Sequence, residues 1–177
     1  MTASARRLWP LGGTMIATLL AVQSYGAEEP PVKKDKSAPL VVFVCEHGSA
    51  KSLVAASFFE RMAKERGLDV RAVSRGTAPD ASVPAAVVEA LRGDGFDVAA
   101  FKPQRLEKAD VLAADRVVAI GVDLGGVGAK ARADVVRWDD IPPFSASYPK
   151  ARQAILSRIG ALFDDLERQG PRPVRRR

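Results

Sequence analysis

Between Leu40 and Ser52 the chain reads Leu-Val-Val-Phe-Val-Cys-Glu-His-Gly-Ser-Ala-Lys-Ser, and this stretch holds its single cysteine and its single histidine. An ionised thiol is a strong nucleophile, but free cysteine, with a pKa of ~8.5, is mostly protonated at neutral pH. The neighbours of Cys45 favour the thiolate in three ways. It stands just before an expected helix N-terminus, where backbone N–H groups and the helix dipole attract negative charge. Lys51 brings a positive charge, and Ser49 and Ser52 bring hydroxyl donors. Gly48 permits the left-handed backbone that turns successive N–H groups inward as an anion nest. Such a loop would cradle a tetrahedral oxyanion and present a nucleophile to it. The plainer alternative is a buried, inert Cys45 that closes a strand.

The segments around the loop supply what positions it. Leu40 to Val44 are five consecutive apolar residues, the pattern of a short strand buried on both faces. Ser52 to Arg66 reads as a helix, with Val54, Phe58 and Met62 on one stripe, Ala55 and Phe59 beside them, and Gly67 as the stop. Leu68 to Ser74 alternates apolar and polar as a second strand and leads into a turn-rich segment, Arg75 to Asp80. Ser82 is placed to cap a second helix, with Ala85, Val88, Ala90 and Leu91 as its inner face and Gly93 or Gly95 as its end. A short helix is expected over Gln104 to Ala109, and a third strand over Asp115 to Gly121. Gly121 to Gly128 reads as a loop whose glycine spacing does not fit a nucleotide-binding fingerprint. Asp134 to Trp138 is the fourth strand, and Asp139 to Phe144 a proline-stiffened loop at its end. The longest helix starts at Tyr148 or Pro149 and runs to Arg168, with Ile155, Ile159, Leu162 and Leu166 on one face. Alternating strands and helices give an α/β fold, a three-layer, doubly wound sheet of about four parallel strands.

The 177 residues suit one ordinary domain. Six arginines near the ends (Arg6, Arg7, Arg172, Arg175, Arg176 and Arg177) match the net charge of +6, which leaves the middle of the chain neutral. No nucleic-acid-binding face is expected on that ground. One cysteine forbids an intramolecular disulfide, and one Cys with one His is too few for a structural zinc site, so no metal and no cofactor is called for. Arg6-Arg7, the apolar run Met15 to Val22 and the small residues around Ser24 to Ala27 have the order of a secretory signal. The expected organisation is a signal peptide or N-terminal anchor over residues 1–27, a charged linker over 28–38, one domain over 39–170 and a basic tail over 171–177. Cleavage would leave an exported, periplasmic protein with no stable membrane association; the alternatives are an N-terminally anchored or a cytoplasmic one.

The loop resembles that of the low-molecular-weight protein tyrosine phosphatases and the related thioredoxin-coupled arsenate reductases, where Cys, five residues, Arg and Ser directly follow the first strand. Here the run is Cys45-Glu46-His47-Gly48-Ser49-Ala50-Lys51-Ser52. The resemblance continues through Ser74-Arg75-Gly76-Thr77, which is similar to that family's Ser-Ala-Gly-Thr loop, and through Val83 to Val87; it covers most of Leu40 to Leu166. It implies that Cys45 attacks phosphorus to form a phosphocysteine and that Ser52 stabilises the thiolate. Glu46, His47, Gly48, Ser49, Ala50, Lys51 and Ser52 would hold the phosphoryl oxygens, with Lys51 in the place of the family arginine. Asp139 or Asp140 would protonate the leaving group, although neither directly precedes a proline. Lys51 lacks the planar fork that arginine gives a phosphoryl group. Losing one well-placed donor to transition-state charge costs roughly 3–4 kcal/mol, or ~10²–10³ in rate. His47 falls where the family has glycine, and Gly48 where it has a left-handed asparagine. The reductases relay oxidation through further cysteines, which this chain does not have.

The expected function is hydrolysis of a phosphomonoester of the tyrosine-phosphate type through a phosphocysteine, weakened by Lys51. The alternative is a non-hydrolytic module on the same scaffold that binds phosphate or arsenate. Either way the partner is a phosphorylated substrate or a small oxyanion.

Overall fold

The computed structural model describes residues 38–131 and 134–169. The expected signal or anchor, nearly all of the linker and the basic tail lie outside the described residues.

The apolar run at the start of the domain forms strand β1, Leu40–Cys45, with all but its first residue buried. Side chains alternate across a strand. Accordingly, Val41, Phe43 and Cys45 enter one hydrophobic core while Val42 and Val44 enter another on the opposite face. β2 (Arg71–Gly76), β3 (Arg116–Ala119) and β4 (Val135–Arg137) complete a four-stranded sheet in the order β2-β1-β3-β4, with every pairing parallel. The edge strand β2 buries only alternate residues, whereas central β1 and β3 are covered on both sides. Register sets Cys45 beside Gly76, so the ends of the two strands are level.

Helices α1 (Lys51–Glu65), α2 (Ala85–Gly93) and α5 (Tyr148–Gln169) contribute to the larger core, and α3 (Lys108–Ala113) and α4 (Gly125–Gly128) border the smaller one. The result is the three-layer α/β arrangement expected from the sequence. Aromatic rings tie the larger core together. Phe43 meets Phe59 edge-on at 5.5 Å and Trp138 at 5.6 Å, and Phe59 stacks on Phe163 of α5 at 4.6 Å. Ile155, on the same face of α5, is 0% exposed. Ile155→Val leaves a methyl-sized gap and is expected to cost about 0.5–1.5 kcal/mol, read as a lower urea midpoint at unchanged slope.

Several element boundaries differ from the sequence expectation, each for a local reason. β2 starts at Arg71 rather than Leu68, because Gly67 takes a left-handed φ of 68° and the Leu68 N–H returns to the Ala63 carbonyl at 2.9 Å as a helix cap. Ser82 does not cap α2. Pro84 occupies the N-cap position with no side-chain cap, and its carbonyl accepts the Val87 and Val88 N–H groups. The short helix begins at Lys108, where Glu107 and Asp110 form a reciprocal capping box; Gln104 to Leu106 instead bond to both sides of Gly76. The glycine-rich segment contains α4, entered through an Asp123 carboxylate that accepts the Gly125 N–H at 3.0 Å. Among the described residues no helix is long and apolar enough to cross a membrane.

Candidate functional site

The parallel sheet sends the segments that follow β1, β2, β3 and β4 to one end, and the site is built there. Cys45 is the last residue of β1 and is 5% exposed, and α1 starts at Lys51. The residues between them, Glu46 to Ala50, are held from one side by the chain that leaves β2. The Cys45 carbonyl accepts from the Thr77 N–H at 3.1 Å, Glu46 from Ala78 at 2.8 Å, and His47 from Asp80 at 3.1 Å. The Gly48 carbonyl accepts from the Ser74 hydroxyl at 3.0 Å. A trans peptide unit points its N–H opposite to its C=O. Carbonyls 45 to 48 facing the second loop therefore turn the N–H groups of Glu46, His47, Gly48 and Ser49 to the other side. Gly48 makes this possible with a φ of 65°. The first turn of α1 continues the row, since Ala50 at the N-cap makes no side-chain cap and the turn holds no acid. This arrangement has the backbone geometry of an anion nest.

Sulfur sits against a chain of hydroxyls. Cys45 Sγ lies 3.0 Å from Ser52 Oγ, and Ser52 Oγ lies 2.9 Å from Ser74 Oγ. Ser52 and Ser74 are 0% and 3% exposed, so water does not replace these contacts. Lys51 leans the other way: its Nζ donates to the Ile141 carbonyl at 3.0 Å, passing beside Gly121 at the end of β3. It ties the start of α1 to the segment that follows β4.

Asp139 and Asp140 lie in that segment, both exposed and both paired. Asp139 takes a two-point contact from Arg137 at 2.9 and 3.0 Å. Asp140 accepts from Arg158 at 2.6 Å, and that hydrogen bond holds its carboxyl below the ordinary aspartate range. Glu46 and His47 are on the exposed rim, while Ser49 is 1% exposed. Ser49 gives its hydroxyl to Asp80, and the other oxygen of that carboxylate lies 3.2 Å from His47 Nδ1.

Ser74, Gly76 and Asp80 pack against or bond to the loop of the candidate site, and side-chain chemistry along the sequence does not single them out. Ser74 and Gly76 fall inside the Ser-Arg-Gly-Thr resemblance, which marks the segment without giving either a role. The level register of β1 and β2 would have pointed to them. Asp80 carries no such signal, because its partners are more than thirty residues away in sequence. Among the described residues no group of three or more His, Cys, Asp or Glu side chains could hold a metal ion.

Comparison with known proteins agrees with this geometry. Residues 40–127 match the family model for low molecular weight phosphotyrosine protein phosphatase. A low molecular weight phosphotyrosine phosphatase from Vibrio cholerae O395 superposes with a TM-score of 0.65 at 18% identity, over 75% of this chain and 99% of that one. An arsenate reductase from Archaeoglobus fulgidus gives a TM-score of 0.57 at 26% identity, over 69% of this chain and 97% of its own. A thioredoxin-dependent arsenate reductase from Corynebacterium glutamicum gives 0.62 at 21% identity; 77% of this chain is matched, and it spans 65% of that protein. No curated protein matches the chain in sequence.

Proposed function

The chain belongs to the low molecular weight phosphotyrosine protein phosphatase family, and from that premise we propose that it hydrolyses phosphomonoesters, aryl phosphates first among them, through a phosphocysteine on Cys45. The observation that carries this reading is the 3.0 Å contact of Cys45 Sγ with a buried Ser52 hydroxyl, at the mouth of a nest of inward N–H groups. In this reading the hydroxyl donates to a thiolate, and the nest receives the phosphoryl oxygens. Sulfur attacks phosphorus, the ester oxygen leaves, and water then cleaves the phosphorus–sulfur bond. In this reading Lys51 supplies charge to the bound phosphoryl group as well as the tie to Ile141, and Asp139 and Asp140 stand as the late-loop acid candidates. Export to the periplasm accompanies the reading and is checked by the N-terminus and fractionation of the mature protein.

One observation favours a second reading, a binding module without turnover: the Lys51 ammonium is engaged by the Ile141 carbonyl. Lys51→Arg separates the two. A guanidinium can keep a contact to the loop and still add a charge-assisted hydrogen bond, worth roughly 1.5–3 kcal/mol. The hydrolase reading predicts that Lys51→Arg raises kcat for 4-nitrophenyl phosphate by about tenfold. Micromolar binding of phosphate and arsenate by calorimetry, with no turnover in wild type between pH 5 and 8, would establish the module instead.

A further inference from the structure

The late-loop aspartates carry the leaving-group role only by resemblance. In the structure Asp139 presents both oxygens to Arg137, and Asp140 is paired with Arg158, which keeps it ionised at neutral pH. Both residues also lie beyond the stretch that matches the family model, which ends at residue 127. A proton donor must hold a proton to give and must stand at the mouth of the nest. As the structure holds them, both carboxylates are already engaged by arginines.

His47 meets both conditions. It lies two residues from Cys45, on the exposed rim of the same loop. Its backbone carbonyl is fixed by the Asp80 N–H at 3.1 Å, and its ring is fixed by the Asp80 carboxylate, 3.2 Å from Nδ1. The other oxygen of that carboxylate accepts from Ser49, so Asp80 is anchored to the loop it orients. Nδ1 is the ring nitrogen beside Asp80; the other nitrogen, Nε2, faces away from that carboxylate's contact and has the exposed Glu46 carboxylate at 3.7 Å. A carboxylate that orients an imidazole so that its far nitrogen exchanges protons is a recurrent catalytic arrangement.

We propose that His47, oriented by Asp80, is the general acid of this enzyme. The proposal rests on the hydrolase reading above. As the Cys45 thiolate forms its bond to phosphorus, the bond from phosphorus to the ester oxygen breaks, and that oxygen takes the proton from the Nε2 of the His47 imidazolium. The neutral ring then accepts a proton from the attacking water while the phosphorus–sulfur bond breaks. Inorganic phosphate leaves, and the thiolate and imidazolium are restored. His47 is the catalytic residue and Asp80 a positioning residue that acts through it.

Leaving-group dependence tests this. Phenyl phosphate expels an oxygen that needs a proton, whereas 2,4-dinitrophenyl phosphate expels one that does not. His47→Asn is expected to lower kcat/KM for phenyl phosphate by ~10²-fold and for the dinitrophenyl ester at least about tenfold less. Asp80→Asn should show the same selective loss to a smaller degree. Both esters are assayed on one preparation, so any loss of folded protein cancels in the ratio. Equal slowing of both esters by His47→Asn, or no slowing, overturns the proposal while wild-type turnover keeps the hydrolase reading intact. Selective loss in Asp139→Asn or Asp140→Asn instead would return the role to the late loop and also overturn it. If wild type turns over neither ester, the hydrolase reading falls and this proposal falls with it.

Discussion

Cys45→Ser is expected to reduce phosphomonoester hydrolysis by at least about 10⁴-fold, the scale seen when a covalent nucleophile is removed. The substituted hydroxyl would keep a contact to Ser52, but the group in contact with it is a hydroxyl and not a base. The loop's hydroxyl and N–H donors stabilise an anion and do not abstract a proton. The N–H groups that would receive the oxyanion belong to the backbone of Glu46 to Ser49, and they do not change. Phosphate should therefore still bind to Cys45→Ser, with an affinity within a few-fold of wild type by calorimetry. Turnover lost with binding retained places the chemistry on sulfur. Turnover retained would mean that the chemistry lies elsewhere.

The second large effect is expected from a methyl group. A Cβ built on Gly76 would stand 2.8 Å from the Gly48 nitrogen, 2.9 Å from the His47 carbonyl carbon and 3.0 Å from the Glu46 oxygen. All three are backbone atoms, so no side chain can rotate away and the loop itself must move. Displacing a reacting geometry by about 1 Å can cost ~10²-fold in rate. Gly76→Ala should lose about that factor in kcat/KM, and in the Cys45→Ser background it should weaken phosphate binding in parallel. Gly93→Ala is the control, since a Cβ there meets nothing within 4 Å. Its activity should equal that of wild type.

Much of this architecture is legible in residue order. The run Leu40 to Val44 is apolar on both faces because β1 is the covered centre of the sheet, and α1 and α5 show their stripes because each lies on the core with one side. Cys45 and its loop are legible because they combine a rare residue with a strand end. What could not be read depends on which loops the sheet brings together. The partner of Lys51 is a backbone carbonyl ninety residues away, and a carbonyl has no sequence signature. Asp80 reads as an ordinary turn residue until the register of β1 and β2 sets it beside His47 and Ser49. The late-loop aspartates show the converse: their residue type suggests acid chemistry, and their arginine partners, one on β4 and one on α5, were not visible from spacing.

The hydroxyl chain behind Cys45 has a consequence that follows from counting hydrogens. Three contacts run in series, from Sγ to Ser52, from Ser52 to Ser74, and from Ser74 to the Gly48 carbonyl. With a thiol the chain owns three protons, one for each contact. With a thiolate it owns two. The Ser52 proton then turns to sulfur, and the single Ser74 proton must choose between Ser52 Oγ and the Gly48 carbonyl. Ionising the sulfur thus sets Ser52 and the Gly48 carbonyl, on the loop residue with a left-handed backbone, in competition for one proton. The charge state of one atom is thereby coupled to the hydrogen bonding of a carbonyl three residues along.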